Sequence, residues 1–307
     1  MAGYQSIHRT GELKVRARKA RAMLEPCCLC PRKCRANRLS GESGECRVTD
    51  RVVVSSYGPH FGEESPLVGR NGSGTIFFTY CHLHCVFCQN YTISQTGEGK
   101  PLDSEQLANI MLGLQAEGCH NINLVSPGHV VPYILDALDI AAGHGLNLPL
   151  VYNSSGYDAI ETLQLLDGIV DIYMPDMKYA DEKTAKQLSG VQDYPSINRA
   201  AIKEMHRQVG DLIISEDGVA SHGLLIRHLV LPNRLAGTEE TVRFIAGEIS
   251  TGTYVNIMAQ YRPEYHAHEF PLISRRLLSG EFREALKLAH HYGLHRLDKE
   301  YASLPLT

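Results

Sequence analysis

Six short apolar segments rich in β-branched residues alternate with helical segments from about residue 70 to the end of the 307-residue chain. Such runs are typical of parallel strands buried on both faces, and parallel strands need a helical crossover between them. The predicted strands span 75–80, 121–126, 149–153, 169–175, 224–231 and 254–260. An open, doubly wound sheet and a barrel left open after six units both fit this α/β order. Both folds place functional residues at the carboxyl ends of the strands.

The segments between these strands carry helix signals. Asp103-Ser104-Glu105-Gln106 reads as a capping box, and apolar residues follow it at helical spacing. Further helices are predicted over 130–142, 157–166, 181–188, 196–209, 238–249 and 282–291. Residues 1–25 are predicted to form one amphipathic helix, whose apolar side carries Leu13, Ala17, Ala20 and Leu24.

Three cysteines follow the first predicted strand in a CxxxCxxC pattern, at Cys81, Cys85 and Cys88. Three thiolates on so short a loop can hold three irons of a 4Fe-4S cluster and leave the fourth iron without a protein ligand. That open iron would be a reaction site. The same cysteines with His82 or His84 could instead form a tetrahedral zinc site.

A second group of cysteines lies near the N-terminus, at Cys27, Cys28, Cys30, Cys34 and Cys46. The spacing Cys27-x2-Cys30-x3-Cys34-x11-Cys46 offers four thiolates, and these suit structural zinc, rubredoxin-like iron or an auxiliary Fe-S cluster. Unligated, reduced cysteines are the alternative. Cys28 is the expected spare, although Cys27 and Cys28 could exchange roles.

Cysteine usage and hydropathy indicate where the protein works. Eight of the nine cysteines fall in the two groups, which suits metal binding in a reducing compartment better than a disulfide framework. No run of about 18 apolar residues occurs, and residues 1–21 lack the apolar centre of a signal peptide. We therefore expect a cytoplasmic protein without a membrane partner.

Polar and charged side chains end or follow several of the predicted strands. They are Asn123 and Ser126 at the second strand, Asn153 and Ser155 at the third, Asp176 and Lys178 at the fourth, and Arg227 in the fifth. A carboxylate can hold a ribose hydroxyl pair or help to bind a cation, and a lysine or arginine can neutralise an anionic substrate. Turn residues that satisfy their own backbone, or a simple Asp–Lys ion pair, would give the same pattern.

The CxxxCxxC motif resembles that of the radical S-adenosylmethionine (SAM) superfamily. Segments 61–67, 72–78, 121–125, 169–173 and 254–258 look like the uncharacterised Fe-S proteins described as homologues of pyruvate formate-lyase activating enzymes. This resemblance implies a partial, six-stranded parallel βα barrel over residues 70–307 and a Cys-rich metal-binding segment over residues 1–69. It also implies a 4Fe-4S cluster whose open iron binds SAM. One electron from the cluster would then cleave SAM and yield a 5'-deoxyadenosyl radical.

The resemblance assigns roles residue by residue. Phe87 stands where the superfamily has a ring beside the adenine, and Asn153-Ser154-Ser155-Gly156 resembles the Asp-Thr-Asn-Gly of the activating enzymes. Asp176 and Lys178 match their Asp-x-Lys, and Arg227 matches a strand arginine. Ser126-Pro127-Gly128-His129 replaces a Gly-Gly-Glu turn that binds the SAM ammonium, so a carboxylate is missing there. The implied cofactor-binding residues are Phe87, Asn123, Ser126, Asn153, Ser155 and Asp176, and the implied catalytic residues are Asp176, Lys178 and Arg227.

Activating enzymes abstract hydrogen from a glycine of a partner enzyme, so the resemblance implies a protein or peptide substrate and a reductant such as flavodoxin or ferredoxin. The basic residues Lys14, Arg16 and Arg18 would offer a docking surface for an acidic partner. Radical modification of a small metabolite is the alternative enzymatic function. A zinc-dependent nucleic-acid-binding module built on the basic N-terminus is a distant third, because it leaves the strand ends unexplained.

Overall fold

A computed structural model describes residues 2–298, which form one mixed sheet with helices packed around it. The strands are β1 (Val52–His60), β2 (Ser73–Phe78), β3 (Lys100–Leu102), β4 (Ile122–Val125), β5 (Leu150–Ser154), β6 (Ile172–Pro175), β7 (Ile213–Ile214), β8 (Ala220–Leu229) and β9 (Tyr254–Met258). The helices are α1 (Tyr4–Arg9), α2 (Glu12–Ala22), α3 (Ser65–Val68), α4 (Tyr91–Ser94), α5 (Ser104–Ala116), α6 (Val131–Gly143), α7 (Ile160–Leu165), α8 (Glu182–Ser189), α9 (Tyr194–Val209), α10 (Thr238–Phe244) and α11 (Ser279–His291).

The six predicted parallel strands are confirmed as β2, β4, β5, β6, β8 and β9. Each pairs in parallel with the next along the chain, so their spatial order equals their sequence order. A doubly wound sheet would reverse direction at a switch point, and this sheet does not. The arrangement is therefore the partial barrel, and the predicted capping box at the start of α5 is present.

Three further strands were not predicted. β1 pairs antiparallel with β2, β3 pairs antiparallel with β1, and β7 pairs antiparallel with the start of β8. The second half of β1 is polar and largely exposed, and β7 has two residues, so neither carries a strong strand pattern. The predicted boundary at residue 69 stays a prediction, although β1, which precedes it, is hydrogen-bonded into the sheet.

Side chains of the parallel strands alternate between the outer helices and the barrel interior, as the period of two requires. The interior of the barrel begins with an apolar cluster that includes Val151, Ile172, Met174 and Leu225. Leu67 of α3 belongs to the same cluster and is fully buried, so this short helix fills part of the interior. The polar side chains that we describe below lie further along these strands, toward their carboxyl ends.

The N-terminal segment forms two helices rather than the single predicted one, because Gly11 takes a left-handed conformation between them. Gly3 donates its amide to Asp171, just before β6, and Arg16 donates to the carbonyl of Leu165 at the end of α7. Both contacts lie at the end of the barrel opposite the carboxyl ends of the strands. Arg21 pairs with Asp136 on the outer helix α6. The expected docking surface on α2 therefore does not border the mouth of the barrel.

No helix within residues 2–298 has the length and apolar content that a membrane span requires.

Candidate active site at the mouth of the partial barrel

The loop between β2 and α4 carries Cys81, Cys85 and Cys88 directly beyond the carboxyl end of β2. Each sulfur receives a polar contact: Ser189 Oγ donates to Cys85 Sγ at 2.9 Å, and Cys88 Sγ lies 3.0 Å from Ser94 Oγ. The amide of Leu83 donates to Cys81 Sγ at 3.4 Å. Hydrogen bonds of this kind stabilise cluster thiolates and help to set their reduction potential.

The three thiols are electrostatically coupled, and Cys85 is buried while Cys81 and Cys88 are partly buried. Burial, with a smaller contribution from the neighbouring Cys85, raises the pKa of Cys81 to about 12. The positive charge of Lys178 acts to lower the pKa of both Cys81 and Cys85. A set of buried and partly buried thiols with a nearby cation suits an anionic iron–thiolate centre, because iron binding removes the thiol protons. The donor chemistry therefore fits a cluster at these three cysteines.

The zinc alternative for this loop finds no support. Within residues 2–298, no three His, Cys, Asp or Glu side chains gather closely enough to hold a single metal ion. His84 contacts Gln95 and Glu45, while His82 is buried beside Ser155. Burial lowers the pKa of His82 to about 4, so this ring is neutral at physiological pH. The two histidines serve local packing and hydrogen bonding.

Phe87 is buried within an aromatic cluster beneath the cysteine loop. Its ring meets Tyr179 edge-on with centroids 6.3 Å apart, and it meets Tyr261 edge-on at 5.7 Å. These contacts fix the loop against the segment that follows β9. The role beside an adenine stays a prediction.

Asp176, Lys178 and Arg227 form one ion-pair network at the carboxyl ends of β6 and β8. Lys178 Nζ lies 2.5 Å from Asp176 Oδ2, and Arg227 donates Nε to Asp176 Oδ1 at 2.9 Å. Arg227 also donates to Asn153 Oδ1 at 2.7 Å, which joins the third strand end to the network. Burial alone would raise the pKa of Asp176, but Arg227 and Lys178 outweigh it and hold that pKa below its usual value.

Glu64 adds a second carboxylate to this network, and we did not predict it from the sequence. Asn256 of β9 donates to Glu64 Oε1 at 3.0 Å, and Arg227 Nε lies 3.9 Å from the same oxygen. Burial raises the pKa of Glu64. Glu64 comes from the connection before α3 rather than from a strand end, so no periodic pattern marks it. With Glu64, two acidic side chains face two basic ones.

Several buried polar atoms of this interior have no protein partner. Both side-chain amide atoms of Asn123 lack one, as do Asn256 Oδ1 and Glu64 Oε2. Ile122 and Leu124 of β4 pack in the hydrophobic cluster between the sheet and the outer helices. Successive side chains of a strand point to opposite faces, so the side chain of Asn123 faces the barrel interior. Buried polar groups are almost always paired, and these atoms are therefore free to bind a polar ligand.

Ser126 and Ser155 lie at neighbouring strand ends, as predicted. Ser126 has a left-handed backbone, and its amide donates to the carbonyl of Asn153 at 2.8 Å. Ser155 Oγ lies 3.4 Å from His82 Nε2. Gly156 beside it has φ of 70°, and its Cα approaches the carbonyl of Asp176 so closely that a side chain would clash there. The glycine therefore helps to position Asp176.

A buried carboxylate, Asp158, supports the third strand end and was also not predicted. It accepts hydrogen bonds from Tyr152 Oη at 3.0 Å and from Ser154 Oγ at 2.6 Å. Burial raises the pKa of Asp158 to about 6. The residue sits in a turn before α7, where an aspartate ordinarily signals a helix cap, so the sequence offers no sign of its burial.

Asp158 gives the first testable prediction. Its folded pKa lies above the unfolded value of about 3.9, so the folded state binds the extra proton and stability falls as pH rises from about 4 to about 6. Asp158→Asn replaces the carboxyl with a group that does not titrate, so the variant lacks this loss of stability with rising pH. We expect the free energy of unfolding of the variant, relative to wild type, to rise by about 3 kcal/mol between pH 4 and pH 7. Urea unfolding at a series of pH values measures it, and a difference that does not change with pH would contradict the assignment.

The four N-terminal cysteines Cys27, Cys30, Cys34 and Cys46 lie together, whereas Cys28 Sγ turns to the carbonyl of Met23 at 3.7 Å. The segment that carries them is tied to the active-site loop by Arg32, whose Nε donates to the carbonyl of His82 at 2.8 Å. Metal binding at these cysteines stays a prediction at this point.

Residues 75–215 of the chain match the family model of the radical SAM superfamily. An uncharacterised protein of Methanocaldococcus jannaschii is 36% identical over 290 residues, which are 92% of this chain and 79% of that protein. Among solved structures, a radical SAM methyltransferase from Sphaerobacter thermophilus is 13% identical with a TM-score of 0.47, over 72% of this chain and 64% of that one. Streptococcus suis SuiB, bound to precursor peptide SuiA, is 14% identical with a TM-score of 0.48, over 70% of this chain and 44% of that one.

Proposed function

Because the chain belongs to the radical SAM superfamily, we propose that it is an enzyme that cleaves SAM reductively and abstracts hydrogen from a protein or peptide. The observation that carries this proposal is the loop of three electrostatically coupled thiols at the carboxyl end of β2, near Lys178, together with the unpartnered amide of Asn123 in the barrel interior. Cys81, Cys85 and Cys88 would hold the cluster. When bound, the cluster and SAM supply one-electron chemistry and a carbon-centred radical.

The residues of this chain bind and orient the reactants. Asn123 offers an unpaired amide donor and acceptor toward the barrel interior, where SAM or substrate can take both. Lys178 places a positive charge near the thiolates and so offsets the negative charge of the iron–thiolate centre. Arg227 holds the Asp176 carboxylate in one orientation by donating to Oδ1, which leaves that carboxylate positioned at the mouth.

The protein or peptide substrate follows from the likeness of the strand ends to those of activating enzymes. Asp176, Lys178 and Arg227 match that pattern, and the network joins all three in one place. A flavodoxin- or ferredoxin-type reductant would deliver the electron, and such a reaction would take place in the cytoplasm.

A second candidate, radical modification of a small metabolite, has one observation in its favour. The segment after β9 crosses to the cysteine loop: His266 donates its amide to the carbonyl of Val86 at 2.9 Å, and Gln89 donates to the carbonyl of Gln260 at 3.1 Å. This segment joins the first and last parallel strands at the mouth and narrows the lateral entrance that a six-stranded barrel would leave. A narrower entrance favours a smaller substrate.

An isotope-transfer experiment decides between the two candidates. The reduced enzyme is incubated with SAM and with either the protein fraction or the small-molecule fraction of source cells grown in deuterated medium. Abstraction from a carbon–deuterium bond makes 5'-deoxyadenosine one mass unit heavier. We expect the heavy product with the protein fraction. Heavy product with the small-molecule fraction alone would overturn the protein-substrate proposal and favour the metabolite.

A further inference from the structure

The Cys-rich segment folds back on itself so that its cysteines approach one another. Cys27 donates its amide to the carbonyl of Ala36 at 2.9 Å and accepts from the amide of Arg35 at 3.0 Å. This pairing places Cys27 across from the two residues that follow Cys34. Gly44 has no side chain where the sulfur of Cys34 lies, so the turn that carries Cys46 packs directly against that sulfur.

Cys28 differs from Cys27, Cys30 and Cys46 in burial, and from all four of the other cysteines, including the partly exposed Cys34, in its environment. Cys27, Cys30 and Cys46 are at most 8% exposed. The thiol of Cys30 interacts electrostatically with the thiols of Cys27, Cys34 and Cys46. Cys28 is partly exposed, and its sulfur faces a main-chain carbonyl. The structure thus separates four mutually close thiols from one that stands apart.

A buried cation accompanies the four thiols. Arg38 is 0% exposed, and it donates Nη1 to the carbonyl of His129 at 2.8 Å and Nε to the carbonyl of Thr49 at 3.2 Å. Its Nη2 has no hydrogen-bond partner, and no carboxylate of residues 2–298 forms an ion pair with it. Arg38 also lies over the ring of Tyr133, 5.9 Å from its centroid, but a neutral ring does not balance a buried charge. Among the four thiols, Arg38 interacts electrostatically with Cys46. Buried thiolates supply the balancing charge when a metal holds them.

The spacing of the thiols distinguishes the kinds of metal centre. Within the described part of the chain, the four thiols interact but do not gather as tightly as the ligands of a single ion must. The three cysteines of the active-site loop have the same property. Ligands at the corners of a four-iron cluster stand further apart than ligands around one zinc ion, since each binds a different metal atom.

We propose that Cys27, Cys30, Cys34 and Cys46 hold a second iron–sulfur cluster, of the 4Fe-4S type with four protein ligands, and that Arg38 is its counter-cation. With every iron ligated by the protein, this cluster has no open position for SAM. The inference stands apart from the proposed hydrogen abstraction, since it concerns other residues and is tested without turnover.

Iron content tests the proposal. Anaerobically reconstituted wild-type protein is expected to hold about eight irons per chain, and a variant with Cys81, Cys85 and Cys88 all replaced by alanine should keep about four. If that variant instead contained about one zinc per chain and no iron, a zinc site would replace the proposed cluster. If it contained no metal, the second site would be refuted.

A matched pair of neighbouring substitutions tests the ligand assignment. Cys27→Ala should lose about half of the bound iron, whereas Cys28→Ala, one residue away, should lose none. The reverse result would overturn the assignment. Arg38→Met should move the reduction of the second cluster to a more negative potential, followed by electron paramagnetic resonance, because removing a positive charge disfavours the added electron. An unchanged potential would exclude Arg38 as the counter-cation.

Discussion

Replacing Cys85 with alanine is expected to reduce 5'-deoxyadenosine formation from SAM to the background of reductant alone, a loss on the order of 100-fold or more. Cys85 is the central cysteine of the loop, and its sulfur accepts a hydrogen bond from Ser189. Without it, two thiolates remain for a cluster that needs three, and the open iron is lost with the cluster. A chromatographic assay with dithionite measures the product.

Cys119→Ala is the matched control for that substitution. Cys119 is also a buried cysteine, 3% exposed, but it packs in the main hydrophobic cluster at the far end of β4 from the mouth. Its loss should leave both the iron content and product formation unchanged. Equal product from the Cys85 variant and from wild type would remove the basis for the catalytic assignment.

Asp176→Asn is expected to destabilise the protein by about 3–5 kcal/mol. The substitution keeps the shape of the side chain but removes the charge that pairs with both Lys178 and Arg227. The two largely buried cations then lose the carboxylate that they share, and the Glu64 carboxylate near Arg227 has a pKa that burial raises. The midpoint of urea unfolding measures the loss.

Asp167→Asn provides the comparison on the surface. Asp167 also pairs with an arginine, Arg207, but both side chains are about half exposed. Exposed pairs contribute about 0–1 kcal/mol, so this variant should unfold near wild type. If the two variants lost the same stability, the Asp176 network would contribute no more than an exposed ion pair, which would contradict its largely buried position.

The parallel strands were predictable because each is a continuous apolar run whose burial on both faces leaves a strong signal. Because the carboxyl ends of parallel strands meet at one edge of the sheet, the predicted strands also implied that Asp176, Lys178 and Arg227 lie near one another. The structure joins these three in one network. β1 was missed because its second half is exposed and polar. Tertiary pairing with β2, rather than local pattern, makes it a strand.

Contacts between distant segments account for the rest. Glu64 reaches the site only because the connection before α3 enters the barrel and meets Asn256 on the last strand. Asp158 is buried only because the strand end folds over it. The basic residues of α2 suggested a docking surface, but their position depends on how this helix packs, and Arg16 turns to the carbonyl of Leu165 at the opposite end of the barrel. No local sequence pattern encodes such placements.

The most direct measurement of the central claim is electron paramagnetic resonance of the reduced protein before and after addition of SAM. The N-terminal Cys27→Ala variant is used, so that the signal comes from the loop of Cys81, Cys85 and Cys88 alone. If one iron of that cluster is open and SAM binds it, the spectrum of the reduced 4Fe-4S cluster should change on addition of SAM, and 5'-deoxyadenosine should then form. A reduced cluster whose spectrum is unchanged at saturating SAM, or a protein that binds no iron at this loop, would contradict the account.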